Sequence, residues 1–118
     1  MPEDLPHPEP GQMTLDRVLS ALANPLRRHV VVTLARAEPG TERQCVSFAL
    51  PVTAPTRTHH FRVLREAGLI WMLDRGNQVL TSLRRDELDR RFPGLIDAVL
   101  ASQDSAHQGP LEVAATSG

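Results

Sequence analysis

A mainly helical domain carrying one β-hairpin is the fold class that this sequence of 118 residues predicts. Three observations support the prediction. Apolar residues recur at helical spacing in two neighbouring segments between positions 14 and 36. They do so again in residues 54–67, a segment that ends at Gly68, a residue suited to the left-handed conformation found after helices. Two apolar runs, residues 69–73 and 78–83, then flank a turn-forming stretch and predict a hairpin.

Capping residues and helix breakers locate the individual elements. Thr14 is suited to cap the first helix, and Asn24 followed by a proline is suited to open the second. A Pro-Gly pair at positions 39 and 40 ends the second helix. Pro51 excludes a long helix in the segment before the third helix, where we expect a short strand or one helical turn. Thr53 is then the cap of the third helix.

Composition sets the domain boundaries. Residues 1–12 hold four prolines, three acidic residues and no arginine, which is typical of a disordered arm. Residues 13–102 form the folded domain and include two helices after the hairpin, at residues 86–91 and 95–101. Residues 103–118 are small and polar and predict a flexible tail. A chain of this length has room for one hydrophobic core.

The apolar runs and the cysteine content indicate the compartment. No apolar run approaches the ~18 residues that a membrane span needs, and the chain shows no basic segment followed by an apolar one as in a secretory signal. A single cysteine, Cys45, cannot form an intramolecular disulfide. Together these features predict a cytoplasmic protein without a membrane partner.

Polar and basic side chains occupy the faces of the third helix that its apolar residues leave free. The net charge of −1 conceals this, because residues 56–65 contain three arginines and no acid. Such groups reach base edges and phosphates in a DNA groove, although the same pattern also fits a solvated helix face. A helix of this kind followed directly by a hairpin is the layout of a winged helix-turn-helix. The expected DNA contacts are Thr53, Thr56, Arg57, Thr58, His59, His60, Arg62, Arg65, Arg75 and Asn77.

Two sequence blocks resemble the ArsR family of winged-helix transcriptional regulators. They are LSALANPLRRHVVVTLA at residues 19–35 and THHFRVLREAGLI at residues 58–70, and the resemblance extends over about residues 14–102. It implies a homodimer that binds a near-palindromic operator in double-stranded DNA and usually represses transcription. It also implies a dimer interface built from the first and last helices, with the apolar residues Leu15, Leu19, Leu22, Leu95, Ile96, Val99 and Leu100.

The resemblance also suggests metal sensing, which depends on whether the chain has suitable metal ligands. A zinc or thiophilic-metal site needs about four ligands with thiolate or imidazole among them. This chain offers one cysteine, and its last helix offers only Asp97 and Asp104. We therefore expect no metal and no cofactor, and we expect that zinc, cadmium or arsenite will not release the protein from DNA. An unidentified small-molecule effector near Trp71, or redox chemistry at Cys45, would be the alternative inputs.

The same residues also allow other interpretations. Catalysis has no support, because the sequence shows no Gly-rich phosphate loop and no nucleophile–His–acid spacing, so no enzyme is expected. Cys45 fits a small buried apolar residue, and Trp71 fits a cover over the core. The alternative function is a winged-helix protein-interaction module with weak or no DNA binding, which would use an apolar wing surface around Trp71 and Met72.

Overall fold

The computed structural model describes residues 3–108, and within them it contains five α-helices and one four-stranded antiparallel sheet. This architecture confirms the predicted fold class. The helices are α1 (Leu15–Ala23), α2 (Pro25–Arg36), α3 (Ala54–Ala67), α4 (Arg85–Arg91) and α5 (Leu95–Gln108). The strands are β1 (Glu3–Asp4), β2 (Arg43–Gln44), β3 (Ile70–Asp74) and β4 (Val79–Leu83).

Strands β3 and β4 form the predicted hairpin at the centre of the sheet, whose strand order is β1-β3-β4-β2. Met72 pairs with Thr81, and the register continues to Asp74 opposite Val79. The turn is closed by the Arg75 N–H, which donates to the Gln78 carbonyl at 2.9 Å. The two outer strands, β1 and β2, are only two residues long, so they cover the hairpin without extending the sheet much further.

The expected capping residues open the first three helices. The Thr14 hydroxyl accepts from the Arg17 N–H, and the Thr53 hydroxyl accepts from the Thr56 N–H. The side-chain oxygen of Asn24 accepts two N–H groups at the start of α2. Each cap satisfies a backbone donor that has no partner within its helix. Local sequence therefore determines where these helices begin.

Gly68 joins α3 to β3 at a position where no side chain fits. Its φ is +93°, in the left-handed region, and a Cβ placed there would lie 2.6 Å from the Cγ of Met13. Met13 itself is almost completely buried. Gly68 therefore ends the helix and also lets the N-terminal segment pack against the helix end.

The segment before α3 contains both elements that the sequence offered as alternatives. Arg43 and Gln44 form β2, and Cys45–Phe48 form one turn of 3-10 helix. Ala49 then adopts a left-handed conformation, with a φ of +50°. Phe48 is buried and lies 5.6 Å, centroid to centroid, from the ring of Phe61. This contact fixes the segment to α3 despite the absence of a full helix.

The N-terminal arm differs from the expectation of disorder. Residues 3–12, in the part of the chain that the structure describes, are packed along β3 and α3, and β1 pairs with the outer edge of β3. The Arg65 guanidinium donates to the Pro6 carbonyl at 2.7 Å, and the Arg84 guanidinium donates to the Pro8 carbonyl at 2.8 Å. Proline-rich composition disfavours helix and central strand, but its backbone carbonyls remain free to accept bonds from arginines elsewhere.

The arm packs against Trp71. The His7 ring stacks on the Trp71 ring with 3.6 Å between centroids, and the indole N–H donates to the Asp4 carboxylate at 2.7 Å. The Met72 N–H donates to Nε2 of His7 at 2.9 Å, so this nitrogen carries no proton. The guanidinium of Arg84 lies 5.1 Å from the centroid of the Trp71 ring. The chain itself thus supplies the partners of its only tryptophan.

Acidification is expected to release the arm from Trp71. Burial and the cations Arg84 and Arg65 hold the pKa of His7 below its ordinary value of 6.5, although Asp4 opposes them. Because the docked arm prefers neutral His7, docking is fully stable above pH 6.5 and is lost as the pH falls through the lowered pKa. Trp71 fluorescence should therefore show a transition below pH 6.5.

His7→Phe is the control for this titration, because it keeps an aromatic ring against Trp71 and removes the titrating nitrogen. Its fluorescence should be flat over the same pH range. A transition that persists in His7→Phe would assign the change to another group, such as His60, and would contradict the prediction.

Helix α5 continues beyond the expected boundary at residue 102 and reaches Gln108, the last residue that the structure describes. An ion pair between Arg36 and Asp104 ties this extension to the end of α2. The domain therefore includes residues 103–108, and the rest of the predicted tail, residues 109–118, lies outside the described residues. No helix among residues 3–108 is long and apolar enough to cross a membrane.

Candidate nucleic-acid interface

Helix α3 lies between the other helices and the hairpin. It packs against α1 and α2 on one side and against β3 on the other. Phe61, Leu64 and Ala67 face the core, as their spacing predicted. This packing leaves one long face of α3 at the surface and fixes its direction relative to the hairpin.

The exposed face of α3 begins at its cap and runs for about half of the helix. Positions three or four apart share a helix face, so the side chains of Thr58, His59 and Arg62 lie next to one another. No acidic residue interrupts the exposed set before Glu66. The sequence-predicted contacts that the structure places on this surface are Thr53, Thr56, Thr58, His59 and Arg62.

His60, by contrast, lies inside the domain, which corrects its assignment as a DNA contact. It is 7% exposed, and its Nδ1 accepts from the Arg27 guanidinium at 3.2 Å. Arg27 also donates to the Ala21 carbonyl at 2.9 Å, so the pair links the end of α1 to α2 and α3. Burial, Arg27 and His59 all lower the pKa of His60. Adjacent residues on a helix point about 100° apart, and only one of the two histidines could face solvent.

His60→Ala is expected to destabilise the domain, whereas His59→Ala is not. Removing the buried imidazole leaves one guanidinium nitrogen of Arg27, Nη1, without its acceptor and opens a gap, at a cost of about 1–3 kcal/mol in the free energy of unfolding. His59 is exposed, and its removal should change that free energy by less than about 0.5 kcal/mol. Urea unfolding of both variants measures the difference. Equal stabilities would show that the Arg27–His60 contact contributes nothing.

Two of the arginines that were predicted to contact DNA, Arg57 and Arg65, are only half-exposed. Arg65 donates to the carbonyl of Pro6 in the arm, so it serves to hold the arm to α3 rather than facing outward. Arg57 lies near the thiol of Cys45, where burial raises the pKa of the thiol and the charge of Arg57 offsets a small part of that rise. Both side chains line a groove between α3 and the sheet instead of the exposed face.

The tip of the hairpin forms the second part of the candidate interface. Arg75, Gly76 and Asn77 are exposed, and Gly76 has a φ of +88° that suits a tight turn. The Gly76 N–H donates to the Asp74 carboxylate at 2.7 Å, which fixes the turn. Arg75 and Asn77 are thus presented at the end of the wing, in the position that the sequence predicted.

The two residues considered for ligand or redox roles are both occupied by contacts within the chain. Trp71 is stacked by His7, and the neighbouring Met72 is buried. Burial raises the pKa of the Cys45 thiol, and this effect outweighs its hydrogen bond to Thr81, at 3.2 Å, and the nearby Arg57 charge. A thiol with a raised pKa is a weak nucleophile at neutral pH. Among residues 4–104, whose side chains the structure describes, there is no group of three or more His, Cys, Asp or Glu placed to hold a metal ion.

The candidate dimer surface is narrower than the sequence predicted. Leu15 and Leu19 of α1 are each 46% exposed, which is unusual for leucines in a small domain. Leu22 and Ile96 are 5% and 0% exposed, and they belong to the core of the protomer itself. The remaining predicted members are half-buried on α5, where each packs against the core and still reaches the surface: Leu95, Val99 and Leu100.

Solved structures of transcriptional regulators share this fold. An ArsR family transcriptional regulator is 22% identical, with a TM-score of 0.57, and the match covers 80% of this chain and 97% of that one. The transcriptional repressor BigR from Xylella fastidiosa is 21% identical, with a TM-score of 0.57, over 75% of this chain and 84% of the other. An ArsR-like transcriptional regulator from Rhodococcus sp. RHA1 is 22% identical, with a TM-score of 0.54, over 85% and 92%.

Protein-family models and curated protein sequences gave no match to the chain. The three structural matches cover 75–85% of this chain. The chain therefore has the winged helix-turn-helix fold of ArsR-family transcriptional regulators.

Proposed function

We propose that this protein is a transcriptional regulator that binds double-stranded DNA sequence-specifically as a homodimer. The observation that carries the proposal is the exposed, acid-free face of α3 from Thr53 to Arg62. It combines short hydroxyl side chains with an imidazole and a guanidinium, groups that read base edges in a major groove. The exposed wing tip, with Arg75 and Asn77, supplies a second contact beside it.

Repression at a near-palindromic operator is the more specific form of this proposal. A two-fold dimer built on Leu15 and Leu19 would relate two α3 helices by the same axis. Two such helices contact two half-sites whose sequences are inverted copies of each other, usually one helical turn apart. One structural neighbour, BigR, is a transcriptional repressor, which favours repression over activation for this protein.

Selection of bound fragments from random duplex DNA tests the proposal directly. Purified protein should enrich a single motif with inverted symmetry, and its affinity for that motif should fall steeply as salt rises, because phosphate contacts release counterions. A matched duplex with one scrambled half-site is the control for dimeric reading. Enrichment of no motif, or equal affinity for the scrambled duplex, would contradict sequence-specific binding as a dimer.

A protein-interaction module that uses the wing surface is less well supported. That alternative needs an exposed apolar patch around Trp71 and Met72. Met72 is 7% exposed, and the ring of Trp71 lies against His7 and Arg84. The apolar area that such a partner would need is therefore covered by the arm in this structure.

A further inference from the structure

A groove of about 270 Å³ lies between α3, the sheet and the arm, beside the exposed face of α3. We call it the arginine groove, because Arg57, Arg62 and Arg65 line it from successive turns of α3. These three residues supply the only charged groups among its lining residues. None of the three forms an ion pair with a carboxylate among the residues that the structure describes.

The floor of the groove is apolar. It is formed by Leu5 of the arm, Phe61 of α3, and Met72 and Val79 of the hairpin. Phe61 and Met72 are buried members of the core cluster, so the floor is a packed surface and not a set of mobile side chains. Apolar walls with a few convergent polar groups are the usual construction of a small-molecule site. The volume of this groove, about 270 Å³, is slightly below the usual range of about 300–1,000 Å³ and suits a small ligand.

Cys45 adds no negative charge to the groove. Its thiol lines the same space, and burial raises its pKa, so it stays protonated at neutral pH. Three guanidinium groups facing an apolar floor thus create a positive potential in a partly shielded space, where charge interactions are stronger than in bulk water.

We infer that the arginine groove binds a small organic anion, with a carboxylate against Arg57, Arg62 and Arg65 and an aromatic or branched aliphatic body against the apolar floor. Guanidinium forks bind carboxylates through two parallel hydrogen bonds, which selects anions over neutral isosteres. The apolar floor selects a carboxylate with a hydrophobic body over inorganic phosphate or a phosphate of the DNA backbone, which has no such body.

Occupancy of this site would oppose DNA binding, a consequence that rests on the proposed function. Arg62 belongs both to the arginine groove and to the exposed face of α3. A carboxylate that engages its guanidinium removes the same donors from a base or a phosphate. Binding of the anion and binding of DNA should therefore weaken each other to the same extent.

The test is titration of the full-length, isotopically labelled protein with benzoate, followed by NMR of the backbone amides in the absence of DNA. Saturable shifts should be centred on Arg57, Cys45 and Val79. Benzamide, which is the neutral isostere of benzoate, should bind at least about tenfold more weakly because charge-assisted bonds are lost. Inorganic phosphate and benzylamine should also bind at least about tenfold more weakly, because they lack the apolar body or the negative charge. If phosphate bound as tightly as benzoate, the groove would be a site for a DNA phosphate. If benzylamine bound as tightly as benzoate, the arginines would have no role in binding. Either result overturns the inference.

Two variants and a control locate the site. Arg57→Gln should weaken benzoate binding by about tenfold, because one charge-assisted contact is lost. Val79→Phe should abolish binding by filling the floor while leaving all three arginines in place. Arg90→Gln, at an exposed position on α4, should bind benzoate like the original chain.

Failure of the inference and failure of the proposed function are distinguishable. The benzoate titration contains no DNA, so it reports on the groove even if the protein binds no operator. If benzoate causes no saturable shifts, or if Arg57→Gln and Val79→Phe bind it normally with circular dichroism unchanged, the groove is not an anion site, and the fragment selection remains a separate test of DNA binding.

Discussion

Leu19→Asp is expected to convert the proposed dimer to monomers. It should also reduce operator affinity by about 100-fold or more, because linked half-sites gain about that factor from effective concentration. Leu19 is 46% exposed in the protomer, so aspartate at this position is hydrated in the monomer and costs little stability there. In a two-fold interface both copies of the carboxylate would lose water without gaining a partner. Each uncompensated buried charge costs several kcal/mol, about 3–5 in measured cases.

Sedimentation measures the oligomeric state, and titration of the selected operator measures the affinity. Val46→Asp is the matched control for sedimentation, because Val46 is an equally apolar residue, 56% exposed, but lies in the segment before α3 and away from α1. It should sediment as the original protein does. Leu100 is a poorer choice, since it is half-buried against the core and its substitution would also test folding. If the Leu19→Asp protein remained dimeric, the dimer interface would not be on α1, and the prediction would be wrong.

The parts of the fold that local sequence determines were predictable. Thr14, Asn24 and Thr53 satisfy backbone donors within three residues of themselves, so a helix start can be identified from the chain around it. Gly68 marks the end of α3 for a reason that is also local, its left-handed φ. The hairpin follows from two apolar runs and a turn.

The parts that depend on distant contacts were not predictable. Arg84 is 6% exposed, and it links Glu87 to the carbonyl of Pro8, which lies 76 residues earlier. Nothing in the sequence around Arg84 distinguishes it from the exposed arginines, and its partner is a backbone carbonyl that any residue could supply. The order of residues 3–12 therefore could not be inferred from their composition, which describes only what the arm can do on its own.

Distant contacts also decide which residues of the candidate interface are exposed. Helical spacing separates core from surface but does not give the width of the buried face. His60 lies at the border of the apolar set, and only the position of Arg27 on α2 decides that it points inward. Likewise Ile96 and Val99 differ by one helical turn on α5, and the packing of α5 against α2 and α4 decides which one is fully buried.

Arg62→Ala is expected to weaken binding to the selected operator by about 1–3 kcal/mol, roughly 5- to 150-fold, if its guanidinium reads a base. Arg62 is exposed at the C-terminal end of the acid-free α3 face, and it forms no ion pair or hydrogen bond through its side chain with the residues that the structure describes. Its removal should therefore leave the free energy of unfolding within about 0.5 kcal/mol of the original value. The loss of affinity can then be attributed to the DNA contact and not to the fold.

Arg62→Lys separates base reading from phosphate contact. Lysine keeps the charge but not the planar fork, so a bidentate contact to guanine would be lost, with relaxed preference at one operator position. A phosphate contact would survive in Arg62→Lys, and Arg62→Ala would then weaken all sequences evenly and reduce the slope of affinity against salt by about one unit. Arg90→Ala, at an exposed position on α4, is the control and should bind the operator normally. Unchanged affinity and salt slope in Arg62→Ala would place the DNA on a different surface, because no other arginine of α3 is fully exposed.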